Sequence, residues 1–145
     1  MGFQFSLATV LRVRTIHEER EERMLQQILF QIAQTRQAVA VSDSAIRKAN
    51  DLRAADTDRS LIGRNLHDSY GQIEQLKQDR LQLVERLGKL EHLKEMQVTI
   101  YDAARQSREL LTDMREKKRG LYDSDVSRRE QSVLDDNYIA RRRRG

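Results

Sequence analysis

His17 and Glu21 lie four residues apart in the run "IHEERE", a spacing that on a helix sets an imidazole and a carboxylate on one face. The chemistry such a pair suggests is metal binding. A zinc-peptidase helix would need a second histidine where this chain has Glu21, and no third ligand follows on that face. Zinc needs three or four convergent ligands. His67 and His92 are isolated and there is no cysteine, so all three histidines read as solvated helix surface. Without cysteine there is no thiol nucleophile and no disulfide framework. Gly63, Gly71 and Gly88 occur singly within helical pattern, so no phosphate-cradling loop is present. Catalysis also requires a concave site that excludes water, and two paired helices would offer none. The expectation is a non-enzymatic chain with no metal and no cofactor.

The chemistry that remains is charge. Lys and Arg number 27 against 23 acids, and the run Arg141 to Arg144 accounts for the whole net charge of +4. A body of balanced, interspersed charge is not the footprint of a nucleic-acid binder, and the terminal arginines read as a solubilising end. The cluster Arg115, Lys117, Lys118 and Arg119 is different, because only Glu116 interrupts it. These four cover most of a helix circumference and read as a docking surface for an acidic partner. Leu66, Tyr70 and Ile73 form a weaker candidate contact. A packing seam accounts for Leu66 and Ile73, and leaves Tyr70 to face outward.

Long helices are the elements that must carry these residues. Charged residues make up 34% and aromatics only 5%, too little apolar volume for a compact globule. Proline is absent and strong helix formers dominate, which favours helix over disorder. A heptad series runs through Leu7, Leu11, Arg14, Glu18, Glu21, Leu25, Ile28, Ile32, Thr35, Val39, Ser42, Ile46, Ala49 and Arg53. Its stretch from His17 to Arg23 is charged on every face, so the seam there is expected to be loose.

A second series runs Leu66, Ser69, Ile73, Leu76, Arg80, Leu83, Leu87 and Leu90. Its apolar residues then suggest a second step of three to Leu93, a stammer, and a continuation through Gln97, Ile100, Ala104, Ser107, Leu111 and Met114. Between the two series lies "AADTDRS", rich in helix-capping residues. The chain therefore reads as one all-α, antiparallel coiled-coil hairpin: helix about 4–55, tip about 56–61, a longer helix about 62–138 that overhangs the first, and a disordered basic tail 139–145. In this register Leu7 falls near Leu110 or Leu111, Phe3 and Phe5 fall near Met114, and Arg12 and Arg14 approach the basic cluster.

The opening "MGFQFSLATVLRVR" does not read as a secretory signal, since its arginines follow the apolar residues and Gln4, Ser6 and Thr9 interrupt them. No run approaches the ~18 apolar residues of a membrane span.

The two ends carry a resemblance. "FQFSLATVLRVRTIHEE" resembles the start of the flagellar type III export protein FliJ family, an F-x-F-x-L-x-x-V-L-x-x-R run followed by acids. "MREKKRGLYDSDVSRREQSVLDDNY" is similar to that family's C-terminal segment: a basic turn, a Tyr, an R-x-E-Q-like pair and a late acidic pair. The charged block 17–23 and the Arg141–Arg144 tail depart from the pattern. The resemblance implies a bacterial cytoplasmic protein, peripheral at the inner membrane at the flagellar base and touching the membrane only through the export apparatus. It implies a hairpin similar to the central stalk of rotary ATPases, with the export ATPase ring, the cytoplasmic domain of the export gate and export chaperones as partners. Arg12, Arg14, Arg115, Lys117, Lys118, Arg119 and Tyr122 would then be the ATPase-binding candidates, and Leu66, Tyr70 and Ile73 the gate or chaperone candidates. Rival readings are the equivalent stalk of a virulence injectisome, a generic coiled-coil scaffold, and a basic-tailed nucleic-acid binder.

Overall fold

The computed structural model describes residues 2–58 and 63–144, with side chains described for 2–55 and 68–144. Two helices, α1 (Ala8–Asp58) and α2 (Gly63–Arg144), pack against each other, α2 being the longer, and no strand occurs among the described residues. α1 runs on through 56–58, where the tip at about 56–61 was expected to begin, and the rest of that tip lies outside the described residues, as does the side chain of Leu66. The packing divides the chain into two compact units, one of Met1–Arg20 with Tyr101–Gly145, the other of Glu21–Ile100.

In the Glu21–Ile100 unit the seam follows the heptads. Ile32, Thr35, Ile73, Leu90 and Gln97 are buried, and Leu25, Ile28, Val39, Ile46, Leu76, Leu83 and Leu87 are half-buried beside them. A two-helix seam cannot enclose a side chain completely, and none is fully buried among the described residues. Polar members are satisfied locally or across the seam. Thr35 donates to the Gln31 carbonyl at 2.8 Å. The Gln97 amide donates both to the Glu21 carbonyl at 3.1 Å and to its carboxylate at 2.5 Å. Arg36 pairs with Glu91 at 3.2 Å, and Arg80 pairs with Asp43.

In the other unit the core is Phe5, Leu11 and Leu111, with Phe3 and Leu7 packed against it. Leu7 thus packs against the cluster that contains Leu111, the end of α2 where the heptads place it. Residues 2–5 are not helical and 6–7 form a turn, so α1 begins at Ala8 rather than near residue 4. The turn closes with Ala8 N–H donating to the Phe5 carbonyl at 3.1 Å, and helix begins as Leu11 N–H donates to the Leu7 carbonyl at 2.9 Å. Burial of Phe5 favours this strap, because its ring reaches the seam only if the chain leaves the helical path.

Two further expectations are corrected. There is no stammer after Leu90, since Leu93, Ile100 and Met114 are exposed. The seam instead keeps alternating steps of four and three through Lys94, Gln97, Tyr101, Ala104, Arg108, Leu111 and Arg115, each buried or half-buried. A strict heptad repeat holds one phase where the opposing helix accepts polar side chains, and Glu18 and Glu21 do accept them. The second correction concerns the tail. α2 does not end near 138 in disorder but runs to Arg144. Arg is a strong helix former, and Arg141 to Arg144 occupy the last turn, where cations complement the helix dipole.

Candidate partner-docking site

Within the first unit, the N-terminal strap lays two phenyl rings on α2. The Phe3 ring meets the Tyr122 ring at 5.7 Å between centroids and 51° between planes, within the tilted geometry that aromatic pairs prefer. Lys118 Nζ stands 5.6 Å above the Phe5 ring, and the Arg119 guanidinium 6.0 Å above the Phe3 ring. Phe3 therefore lands at 119–122, beyond Met114 where a continuous helix would place it, whereas Phe5 clusters with Leu11 and Leu111 and is reached by Lys118, close to its expected place. An extended strap rises about 3.3 Å per residue against ~1.5 Å in a helix, so it carries the Phe3 ring further along α2.

The sequence-based candidates differ in what already holds them. Arg14 donates to the Ser107 carbonyl at 3.1 Å, and Arg115 pairs with its neighbour Glu116 at 3.3 Å. Lys118 and Arg119 are held over rings. Arg12 and Lys117 have no ion-pair partner among the described residues, and both are exposed. Arg12 and Arg115 come together along one groove with Thr15, Ile16, Glu19, Arg108 and Thr112. Both threonines donate to their own helix, Thr15 to the Leu11 carbonyl at 2.9 Å and Thr112 to the Arg108 carbonyl at 3.1 Å, and Arg115 is engaged by Glu116, so Arg12 is the guanidinium of this groove with no ion pair among the described residues. Such a surface can pair with carboxylates.

Arg108 is the residue that periodicity alone misassigned. Its Nε and Nη2 donate to the two Glu18 carboxylate oxygens at 2.6 and 3.1 Å, with side chains 27% and 13% exposed. That bidentate bond, with Arg105 adding a weaker field, holds Glu18 below its ordinary pKa of 4.5, while partial desolvation opposes it. The charged block is therefore cross-tied at Glu18 and Glu21. The signal was legible as complementary seam positions, an acid at 18 opposite a base at 108.

Of the weaker candidates, Ile73 is buried in the seam and unavailable to a partner. Tyr70 is half exposed, but the Arg53 guanidinium lies 3.4 Å from its ring centroid and also donates to its hydroxyl. Leu66 lies outside the described side chains. His17 and His92 are exposed, and no group of three or more His, Cys, Asp or Glu able to hold a metal occurs among the described residues. No described helix is long and apolar enough to cross a membrane. Comparison with protein-family models, with curated proteins and with solved structures finds no match to this chain.

Proposed function

We propose that this chain is a non-enzymatic, stalk-like component of a type III protein export apparatus of the FliJ kind. Its basic aromatic end enters the ring of the export ATPase, and the hairpin links that ring to the export gate and to export chaperones at the cytoplasmic face of the inner membrane. The observation that carries the reading is the end itself. Phe3, Phe5 and Tyr122 stiffen it, Lys118 and Arg119 are held over rings, Arg12 lines one groove with Arg115, and neither Arg12 nor exposed Lys117 has an ion pair among the described residues. Complementary charge of this kind governs encounter and register more than raw affinity, which suits a stalk that must engage a ring without locking it.

The test is a pull-down and ATPase-stimulation assay with the export ATPase from the same genome. Arg12→Glu combined with Lys117→Glu reverses two cations that have no ion pair among the described residues, so helix content should hold. Stimulation should fall, whereas reversal of Arg141 to Arg144 should matter less. A folded double variant that stimulates normally would refute the site. Capture only of an injectisome ATPase would move the chain to the virulence apparatus.

A further inference from the structure

α2 continues past Tyr122 to Arg144, and every side chain from Asp123 onward is exposed except half-buried Val126. Its last turn holds Arg141, Arg142, Arg143 and Arg144. These four account for the whole net charge of +4, and none has an ion pair among the described residues. Complementing the helix dipole does not call for four, because the C-terminal end carries the equivalent of about half a negative charge. A single arginine offsets that. The stalk reading gives the others no task.

Helical phase selects the face they extend. Leu134, Tyr138, Arg141 and Arg142 stand at i, i+4, i+7 and i+8, on one side of the helix. Leu134 is 63% and Tyr138 65% exposed, so no described residue covers that side. The acids of the stretch lie off it. At ~100° per residue Glu130 and Asp135 fall to its two flanks, each about 70° from its centre. Asp135 accepts from the Gln131 amide at 3.2 Å. Asp136 lies opposite, in a shallow dip with Ile139, Arg143 and Arg144. Asp135 also precedes Arg142 by about 10 Å along the axis, at ~1.5 Å per residue. A helix tilted with this end down therefore meets a surface cations first.

We propose that this face of the last turns of α2 rests on an anionic lipid surface. Arg141 and Arg142 pair with lipid phosphates, which a guanidinium binds through two parallel N–H bonds. The Tyr138 ring lies at the headgroup boundary, where tyrosines collect because one end is apolar and the other wet. Leu134, a turn further back, extends that apolar edge. A nucleic acid would engage the arginines too, yet it would leave this edge in water. The contact lies on the membrane, since no described helix is long and apolar enough to cross one. It is independent of the export reading.

The test is co-sedimentation of the full chain with vesicles, helix content being followed by circular dichroism. Wild type should bind vesicles of equal phosphatidylglycerol and phosphatidylcholine, but not phosphatidylcholine alone. Binding should weaken as salt rises from about 0.01 to 0.1 M and the screening length shrinks from ~30 to ~10 Å. An arginine near an anionic surface contributes about fivefold. Arg141→Gln with Arg142→Gln keeps strong helix formers and should therefore lower partitioning about 25-fold. The chain has no tryptophan, so Tyr138→Trp adds a single reporter whose emission should shift to the blue on anionic vesicles. Val133→Trp, well round the helix from that face, should shift far less. Anionic vesicles left unbound, or a Gln pair that binds as wild type does, would overturn the proposal. So would an equal shift at 133, or tighter binding to duplex DNA than to the vesicles in the same salt.

Discussion

Replacing Arg108 with Leu would strand Glu18 in the seam of its unit. The carboxylate is 13% exposed and accepts two N–H bonds at 2.6 and 3.1 Å. Its short side chain cannot reach open water without bending α1. Breaking a fully buried pair costs about 3–5 kcal/mol, and a charge-assisted hydrogen bond is worth roughly 1.5–3 kcal/mol. The seam is open along both flanks, so Arg108→Leu should cost about 1.5–3 kcal/mol. Glu18→Leu leaves the cation unpaired instead. Arg108 is 27% exposed, its long stem can carry the guanidinium to solvent, and Glu109 already lends it some field. That variant should lose only about 0.5–1 kcal/mol. The double Leu variant replaces the pair with two apolar seam residues, and should match or exceed wild type by about 1 kcal/mol. Urea unfolding followed by circular dichroism measures all four proteins. The reasoning fails if the double variant is as unstable as Arg108→Leu, or if Glu18→Leu is the worse single.

The same pair sets a pH dependence: because Glu18 has a lowered folded-state pKa, its contribution is complete above the ordinary value of 4.5 and is lost as pH falls through the folded-state value. Urea midpoints measured down through this range should decline more in wild type than in the double Leu variant, and parallel declines would count against the pair. The phase of the seam after Leu90 has its own check. Leu111→Ala should cost about 2–4 kcal/mol because Leu111 is 4% exposed between Phe5 and Leu11, whereas Leu93→Ala, at 48% exposed, should stay within about 0.5 kcal/mol. Equal losses would restore the stammer.

Much of the candidate docking site was legible in the sequence, but not its internal differences. The basic cluster and Tyr122 were visible as types and spacing. Which cations are already committed was not, because Lys118 and Arg119 meet rings that lie more than a hundred residues away in the chain. Phe3 could be placed near the end of the pairing but not on Arg119 and Tyr122. Helical periodicity carries no information about a segment that abandons the helix.

The sequence by itself determined that the chain is helical, that it turns back once, and which residues of α1 face the seam. These are local properties: no proline, strong helix formers, and a repeat of 3.5 that two helices must share. Its polar members, Arg14, Glu18, Glu21 and Thr35, lie on that seam where the repeat put them. On α2 beyond Leu90 two ladders were open, one through Leu93, Ile100 and Met114, the other through Lys94, Tyr101, Arg108 and Arg115. Both contain Gln97, Ala104 and Leu111, so apolar content favoured the first and nothing local opposed it. Only the tertiary structure decided for the second, because the opposing helix presents carboxylates there. A leucine facing Glu18 would leave a charge unsatisfied, whereas Arg108 satisfies it twice.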